Sequence, residues 1–343
     1  MGDRIRAIGQ PATAGEFRRQ DGKRLMRINC SDNESRRGLP PSLWMMHRAE
    51  LIAALATAVP TNTVGFGRAL LRVEQDDETV TAHFSDGTSE RADLLVGADG
   101  IRSAVRASVW GQQPTRYAGY TCWRGVANVP EAVHPRGLLM EIWGAGKRFG
   151  VTPLPGGRAY WFAVSDEPEG AVDVDAKAAV MDRFATWASP VPELLDLTPS
   201  GTIIRNDIVD RPPAKPWSVK RIVIIGDAAH PTTPNLGQGG CMAIEDAVVL
   251  ARCLTSAASV GAALNAFERE RYQRTAAVTT ESWLFGRLAQ GSAPLTRFVR
   301  DWGTRLTPSR IAFAQLSRFP QFDTGPIAAA ANLTGRSADS LAS

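Results

Sequence analysis

The sequence predicts an α/β fold in which a doubly wound sheet is joined to a second domain built on an antiparallel sheet. Two short apolar strands, Ala92–Val96 and Arg221–Ile225, each run into glycine and aspartate, as strands do at the carboxyl edge of a parallel sheet. Between them, in residues 116–165, short strand-like runs follow one another across Gly/Pro turns, which is typical of an antiparallel sheet. With 343 residues, 44% of them hydrophobic, the chain is long enough for two such domains.

Periodicity predicts the remaining elements. Residues 1–41 show no clear period and are predicted to be irregular, with a turn at Asp21-Gly22. The predicted helices are His47–Val59, Ala171–Trp187, Gly240–Leu254 and Ala262–Leu288, and the further predicted strands are Leu70–Gln75, Thr79–Ser85, Tyr120–Ala127, Leu138–Trp143, Arg148–Leu154 and Arg158–Val164. The tail after Gly325 is rich in alanine and serine and is predicted to be disordered.

Composition excludes several classes of function. The net charge is +4, but the basic residues are dispersed, and none of their runs is longer than a pair such as Arg18-Arg19 or Arg36-Arg37. A nucleic-acid surface needs a clustered patch, so nucleic acid is not expected as a partner. No apolar run of about 18 residues is present, so stable membrane insertion is not expected either. The four cysteines form no C-x-x-C pair, which predicts no metal site and favours a reduced, cytoplasmic protein.

The segment that carries the most chemical information follows the strand Arg221–Ile225 and reads GDAAHPTTPNLGQGG over residues 226–240. Asp227 stands at the carboxyl end of the strand, where open α/β sheets bind ligands and a carboxylate can accept hydrogen bonds from a ribose or polyol. The glycines that follow allow close approach of the backbone, and they open a helix whose first N–H groups favour negative charge. The plain alternative is a strand–turn–helix connection in which Asp227 only caps the turn.

Two further segments give weaker evidence of a ligand site when each is considered alone. Residues 95–106 read LVGADGIRSAVR, in which Asp99 follows a strand and Ser103 stands at a helix-capping position. Residues 43–51 read LWMMHRAEL and place Arg48 at the start of an amphipathic helix. The alternative for the first segment is a turn that Asp99 only caps, and the alternative for the second is that Arg48 is simply solvated.

Together and in this order, the three segments resemble the FAD-dependent flavoprotein monooxygenases of the aromatic-hydroxylase type. That family carries an H-R-x-x-L helix, a G-A-D-G-x-R-S-x-V-R segment and a G-D-A-A-H-x-x-x-P-x-x-G-Q-G segment, and the likeness extends over roughly residues 1–290. Residues 120–125, with the sequence YTCWRG, are similar to the opening strand of the family's substrate domain. Residues 144–164 look most similar to urate-hydroxylase-like and hydroxybenzoate-hydroxylase-like members.

The resemblance implies FAD as cofactor, NAD(P)H as electron donor, and a small aromatic substrate that receives one atom of O2. The residues it implies in cofactor binding are Arg48, Asp99, Arg102, Asp227, Pro234, Gly237, Gln238, Gly239 and Gly240. The candidates for the substrate wall are Trp123, Arg124, Phe149, Tyr160 and Phe162, of which about half are expected to be plain core because side chains alternate along strands. No catalytic acid or base is assigned, and His230 is interpreted as structural.

The resemblance also implies how the chain is divided. Residues 1–109 and 206–290 correspond to two parts of the FAD-binding domain, 110–205 to the substrate domain, and 291–343 to a C-terminal helix with the disordered tail. The sequence does not indicate the oligomeric state or the choice between NADH and NADPH.

One departure from the family is plain in the sequence. Family members begin with a strand, a G-x-G-x-x-G turn and a helix, which hold the FAD pyrophosphate and ribose. In this chain Gly65-Phe66-Gly67 and Gly144–Gly150 both miss that spacing, so we expect a fold that lacks its first βαβ unit. Three hypotheses stay open: a monooxygenase encoded by a longer frame, a catalytically incompetent remnant that at most binds small molecules, and a halogenase, which the absence of a W-x-W-x-I-P segment disfavours.

Overall fold

The computed structural model describes residues 2–36, 38, 40–318 and 322–325, so the tail predicted to be disordered after Gly325 lies outside the described residues. The chain divides into two units, each assembled from three stretches of sequence. The first unit holds residues 1–66, 117–209 and 283–321, and the second holds residues 67–116, 210–282 and 322–343.

The described residues form both helices and strands, which often follow one another in runs of the same kind. In chain order, the helices are α1 (Gly2–Ala7), α2 (Cys30–Arg36), α3 (Arg48–Ala56), α4 (Ala104–Trp110), α5 (Ala176–Phe184), α6 (Val191–Leu197), α7 (Gly239–Ser256), α8 (Val260–Ala289), α9 (Pro294–Leu306) and α10 (Ser309–Ser317). The strands are β1 (Gln10–Pro11), β2 (Ala14–Arg19), β3 (Arg24–Asn29), β4 (Trp44–Met45), β5 (Leu70–Gln75), β6 (Val80–Phe84), β7 (Ser89–Ala92), β8 (Leu95–Gly97), β9 (Arg116–Asn128), β10 (Leu138–Trp143), β11 (Lys147–Leu154), β12 (Arg158–Asp166), β13 (Ile204–Asp210), β14 (Ser218–Val219) and β15 (Ile222–Ile224). Short 3₁₀ turns occupy Ser200–Thr202, Gly226–Ala228 and Pro234–Leu236.

The first unit is built on a seven-stranded sheet with the order β13-β9-β12-β11-β10-β2-β3. Strands β9, β12, β11 and β10 pair antiparallel in that order, which confirms the antiparallel region expected from the sequence. Strand β2 joins the same sheet by pairing parallel to β10. The sheet therefore brings the N-terminal part of the chain beside strands that lie more than a hundred residues later.

The prediction that residues 1–41 are irregular was wrong. Strands β2 and β3 form an antiparallel hairpin, which closes at the predicted Asp21-Gly22 turn, where Gly22 has a φ of +82°. The hairpin was missed because its inward position carries a charge: Glu16 is buried and bonded to Arg18 and Arg27. Neutralisation by arginines of the same hairpin lets an acid occupy a position where the sequence pattern requires an apolar residue.

One face of the seven-stranded sheet is buried beneath α5 and α6. Because side chains alternate along strands, Trp123, Phe149 and Trp161 lie on this same face, and all three are fully buried. Phe149 stacks on Trp161 with ring centroids 5.5 Å apart. The indole Nε1 of Trp161 donates to Thr198 Oγ1 at 2.8 Å, which satisfies its only polar group. These aromatic side chains are the centre of the first unit's core.

The second unit contains a small sheet with the order β14-β15-β8, in which β8 and β15 are parallel. Both strands were predicted, and their parallel pairing agrees with the expected doubly wound sheet. The fully apolar β15 is buried on both faces, and Val249 and Phe267 from α7 and α8 pack in the same core. A separate antiparallel meander, β5-β6-β7, contains the two predicted strands Leu70–Gln75 and Thr79–Ser85.

Helix α3 confirms the helix predicted from His47 but ends at Ala56 rather than Val59. None of its residues is buried, and Ile52 is 54% exposed. The helical spacing of its apolar residues therefore marks a face that the described part of the chain leaves open. No described helix, including the 30-residue α8, has an apolar stretch long enough to cross a bilayer.

Candidate cofactor site

The turn that follows β15 presents one exposed carboxylate among buried neighbours. Gly226, Ala228 and His230 are buried, whereas Asp227 between them is exposed. Gly226 has a φ of +58°, and a Cβ added there would lie 3.1 Å from the Cβ of Ala243 in α7, so the tight approach of turn to helix requires glycine. The backbone thus holds the carboxylate of Asp227 outward at the carboxyl end of the sheet.

The N-terminus of α7 stands beside this carboxylate. Gly237 adopts a left-handed φ of +64° and reverses the chain, after which α7 begins at Gly239 with no side-chain cap at Gln238. A Cβ on Gly239 would lie 3.9 Å from Asp227 Oδ1, and a Cβ on Gly240 would meet nothing within 4 Å. An open helix start next to an exposed acid offers both hydrogen-bond acceptors and a partial positive charge to one ligand.

A buried ionic cluster fixes the turn from the inside. Asp246 of α7 accepts hydrogen bonds from the Gly226 N–H at 2.9 Å, from Arg271 Nε at 2.7 Å and from His230 Nε2 at 2.6 Å. All of these side chains are buried. Burial acts to raise the pKa of Asp246, but the hydrogen bond from His230 and the charges of His230 and Arg271 outweigh it and lower that pKa. The position of His230 agrees with the structural role expected from the sequence.

Arg106 holds the other side of the same turn. It is buried in α4, and its Nη1 donates to the carbonyl oxygen of Ala228 at 2.9 Å, while its Nε donates to Gln113 Oε1 at 2.8 Å. Burial lowers the pKa of Arg106, and the nearby Arg211 adds to this. Sequence reasoning missed Arg106 as a functional residue, although it is the last residue of the 95–106 segment and its fixed place there was an available signal.

The 95–106 segment itself forms a tight strand-to-helix connection. Ser103 is the N-cap of α4, as expected, and accepts a hydrogen bond from the Arg106 N–H at 2.8 Å. Asp99 Oδ2 accepts from the Val105 N–H at 3.0 Å, so one oxygen of this acid caps the same helix. Asp99 and the exposed Arg102 line an open pocket of about 450 Å³. Asp99 therefore has the capping role of the plain alternative while it still faces a pocket.

The remaining candidates lie in the first unit. Arg48 is exposed at the first residue of α3. Trp123 and Phe149 belong to the buried core face, so neither offers surface to a substrate, and these two candidates are corrected to core residues. Their burial follows from strand alternation, which places them under α5 and α6.

The opposite face of the sheet carries the other three substrate candidates. Arg124 of β9 is the register partner of Phe162 in β12, and Tyr160 lies two residues before Phe162 on the same face. All three are partly exposed, and the rings of Tyr160 and Phe162 are 6.5 Å apart. Gly150 leaves the room for this arrangement, because a Cβ there would lie 2.1 Å from the Phe162 ring. Burial raises the pKa of Tyr160 to about 12, so its hydroxyl stays protonated at neutral pH.

The residues around Asp227 fit the polyol and pyrimidine parts of FAD. Asp227 supplies a carboxylate for hydroxyl groups, and the uncapped start of α7 supplies N–H groups for a flavin that gains negative charge on reduction. The side-chain oxygen of Gln238 is buried and has no hydrogen-bond partner among the described residues, so it is available to accept a hydrogen bond from a ligand.

Comparison with known proteins gives the same class. Residues 2–282 match the family described as FAD binding domain. The chain is 39% identical to the aurachin C monooxygenase/isomerase of Stigmatella aurantiaca over 319 residues, which are 93% of this chain and 82% of the relative. It is 37% identical to an FAD-dependent urate hydroxylase of Klebsiella pneumoniae over 278 residues, which are 80% of this chain and 72% of the relative. The crystal structure of Klebsiella pneumoniae HpxO complexed with FAD and uric acid matches with a TM-score of 0.87 and 31% identity, covering 96% of this chain and 84% of that chain.

A sheet with an exposed acid at its carboxyl edge, beside an open helix start, is a ligand site of the α/β type, and the family match identifies its ligand as FAD. The chain belongs to the FAD-binding family that includes the flavoprotein monooxygenases of the aromatic-hydroxylase type. The family and the cofactor predicted from the three sequence segments are thereby confirmed, as is the likeness to urate hydroxylases.

Proposed function

We propose that the protein is an FAD-dependent monooxygenase that hydroxylates a small aromatic or heteroaromatic substrate with NAD(P)H and O2. The observation that carries the proposal is the exposed carboxylate of Asp227 beside the uncapped N-terminus of α7. Membership of a family with a urate hydroxylase and an aurachin C monooxygenase supports this reaction class. When bound, FAD supplies the redox chemistry and the activation of oxygen, and the protein supplies orientation and electrostatics.

The proposed cofactor contacts follow from the chemistry of each group. Asp227 would accept hydrogen bonds from hydroxyls of the ribityl chain, and the loop and helix start at Gly237, Gln238, Gly239 and Gly240 would face the flavin pyrimidine edge. Pro234 remains a predicted contact of the cofactor. Asp99, Arg102 and Arg48 remain predicted contacts of FAD or NAD(P)H. Asp246 and Arg106 act as positioning residues, because they hold the Gly226 N–H and the Ala228 carbonyl on either side of Asp227.

The proposed substrate wall is the partly exposed face with Arg124, Tyr160 and Phe162. Two aromatic rings and a guanidinium suit a flat ring with a polar or anionic edge, since the rings stack and the cation pairs. Tyr160 donates a hydrogen bond rather than acting as a base, because its hydroxyl remains protonated at neutral pH. Uric acid, the ligand in the matched crystal structure, is the first substrate to assay.

The deciding experiment is retention of flavin. The full chain, incubated with FAD and freed of unbound flavin by gel filtration, is expected to keep the visible flavin absorbance. Asp227→Ala removes the ribityl acceptor and is expected to weaken FAD binding by roughly tenfold or more, the value of one charged hydrogen bond. Asp93→Ala, an exposed acid of the same unit, is the matched control and should bind as the wild type does. Equal flavin binding by wild type and Asp227→Ala would remove the basis of the proposal.

A second assay distinguishes the proposed enzyme from the alternative, a protein that binds small molecules without catalysis. NAD(P)H oxidation that depends on an aromatic substrate supports the enzyme. A substrate that binds and quenches tryptophan fluorescence without flavin-dependent NAD(P)H oxidation supports the alternative.

Three expectations from the sequence stay predictions. They are the absence of a first βαβ unit, the assignment of domains 1–109, 110–205, 206–290 and 291–343, and a cytoplasmic location. The four free thiols support the last of these.

A further inference from the structure

Helix α9 has its apolar side turned outward. Leu295, Phe298, Val299, Trp302 and Leu306 recur at intervals of three and four residues, which places them in one stripe along the helix. All five are exposed, Leu295 to 73% and Leu306 to 70%. Single exposed apolar residues are common on proteins, but a continuous stripe marks a surface that contacts something apolar.

The opposite side of α9 is fixed to the first unit by a buried arginine. Arg300 donates from Nη1 to the carbonyl oxygens of Ala289 at 2.8 Å and Gly144 at 3.2 Å, and its guanidinium lies 5.1 Å from the ring centroid of Trp143. Arg300 is 4% exposed. Because this charged side chain anchors the inner face, the helix cannot turn its stripe inward without breaking these contacts.

The helices that precede and follow α9 in the chain also carry exposed apolar side chains. Leu284 and Leu288, one helical turn apart in α8, are more than half exposed, and so is Ile311 of α10. On α9 itself, Phe298 and Trp302 pair with ring centroids 5.8 Å apart. The surface thus combines aliphatic side chains with an exposed tryptophan, the composition of helices that lie in a membrane interface.

The same segment holds a concentration of positive charge. Residues 283–318 contain six arginines and a single acid, Asp301, which is paired with Arg300. Their net charge of +5 exceeds the +4 of the whole chain, so the rest of the protein is close to neutral. The sequence-based expectation of dispersed positive charge missed this cluster, because the arginines are spaced along helices rather than adjacent. Arg305 lies beside the stripe, 5.7 Å from the Trp302 ring centroid.

We propose that α9, together with the exposed apolar residues of α8 and α10, is a docking surface for an anionic phospholipid membrane. The stripe would enter the boundary between head groups and acyl chains, and the arginines would pair with anionic head groups. Charge favours this occupant over a second copy of the chain, because two copies would each bring a segment of net charge +5 to the interface. The docking is peripheral, because only one side of α9 is apolar and the other side is anchored to the first unit through Arg300.

Cosedimentation of the full chain with vesicles tests the proposal. The protein is expected to bind vesicles of phosphatidylcholine mixed with phosphatidylglycerol, to bind pure phosphatidylcholine much more weakly, and to lose binding at high salt. Vesicle binding needs neither flavin nor substrate, so its failure leaves the proposed function untouched, and failure of flavin retention leaves this proposal untouched.

Matched variants separate the contribution of the apolar stripe from that of the positive charge. Trp302→Ser with Leu306→Ser should lower binding by at least roughly tenfold, because each removes apolar area that would be buried in lipid. Leu71→Ser with Val174→Ser, which alters two strongly exposed apolar residues elsewhere, should leave binding unchanged. Arg305→Glu should reduce binding to the anionic vesicles by roughly tenfold, whereas Arg136→Glu, an exposed arginine outside the cluster, should have little effect.

Three results would overturn the proposal. They are the absence of vesicle binding, binding that is indifferent to phosphatidylglycerol and to the stripe and Arg305 substitutions, and a dimer in sedimentation velocity that Trp302→Ser with Leu306→Ser converts to monomer. The last result would assign the stripe to a second copy of the chain instead.

Discussion

At the scale of single residues, the geometry around Asp227 depends on two side chains that do not face the cofactor position. Asp246 accepts hydrogen bonds from the Gly226 N–H, His230 and Arg271 through one buried carboxylate. Arg106 binds the Ala228 carbonyl from the opposite side. A turn held at both ends keeps the carboxylate of Asp227 in place before a ligand arrives, which lowers the cost of binding.

Replacement of Asp246 should weaken both the fold and flavin binding. Asp246→Ala removes the fully buried partner of Arg271 and leaves Glu245 as its ionic partner, so a cost of about 3 kcal/mol of unfolding free energy is expected. Asp246→Asn keeps the size but loses the charge, so a smaller cost of about 1–3 kcal/mol is expected, with weaker FAD binding. Urea unfolding and FAD titration measure the two effects, with Asp93→Asn as control. Unchanged FAD affinity in a folded Asp246→Asn protein would show that the turn does not need this anchor.

Arg106 offers an independent test of the same idea. Arg106→Met preserves much of the side-chain volume but removes the donor to the Ala228 carbonyl, so FAD affinity should fall by roughly tenfold for a lost charged hydrogen bond. Arg106→Lys restores a charge without the fork that reaches both Ala228 and Gln113, and should recover only part of the affinity. FAD titration at a temperature where all variants remain folded distinguishes positioning from stability. Full affinity in Arg106→Met would contradict the assigned role.

At the scale of elements, the seven-stranded sheet separates core from candidate substrate wall by strand alternation alone. Trp161 points to the face under α5 and α6, and Phe162, the next residue, points to the partly exposed face. Each ring lies across a glycine of the neighbouring strand: Trp161 across Gly125 and Phe162 across Gly150. Glycine is therefore needed at both positions because a Cβ would clash with a ring. Gly125 makes room for a ring of the core, and Gly150 makes room for a ring of the candidate substrate wall.

Alanine at these glycines should distinguish the two faces. In Gly125→Ala the new Cβ would lie 2.6 Å from the fully buried Trp161, which has no room to move, so a loss of about 1–3 kcal/mol is expected. In Gly150→Ala the partly exposed Phe162 can swing away, so stability should fall less while the substrate KM changes. Urea unfolding and steady-state kinetics measure the pair. Equal stability losses with an unchanged KM for Gly150→Ala would argue against Phe162 as part of the wall.

At the scale of the whole molecule, each unit contains a buried acid held by cationic side chains. In the first unit, burial acts to raise the pKa of Glu16, but hydrogen bonds from Arg18 and Arg27 outweigh it and lower that pKa. In the second unit, Asp246 has its pKa lowered in the same way. A carboxyl group with a folded-state pKa below its ordinary value adds stability above that ordinary value, and this stability is lost as the pH falls.

Both units should therefore lose stability on acidification. The loss is expected to begin near the ordinary pKa values of 4.5 for Glu16 and 3.8 for Asp246 and to continue below them. Glu16→Gln and Asp246→Asn should each flatten part of the acid limb, whereas Asp93→Asn should not. Urea midpoints measured from neutral pH downward provide the test. An acid limb of unchanged slope in both variants would show that other groups control acid stability.

The sequence by itself determined the chemical class of this protein. Local patterns are sufficient where the cause is local: an apolar run specifies β15, glycines specify the turn at Gly226 and the open start of α7, and Ser103 caps its helix. The three segments in order were enough to predict the family and its cofactor, because each is a run of adjacent residues.

Only the tertiary structure decided which residues work together. The pairing of β2 with β10, the contact of Arg106 with Ala228, and the burial of Trp123 and Phe149 each depend on residues more than twenty positions apart in sequence. The outward stripe of α9 also depends on the tertiary structure. From the sequence alone, its apolar face would be predicted to lie in the core, and the buried Arg300 on the other side shows that it does not. Periodicity shows that a helix has two faces, and only packing shows which one is turned to the protein.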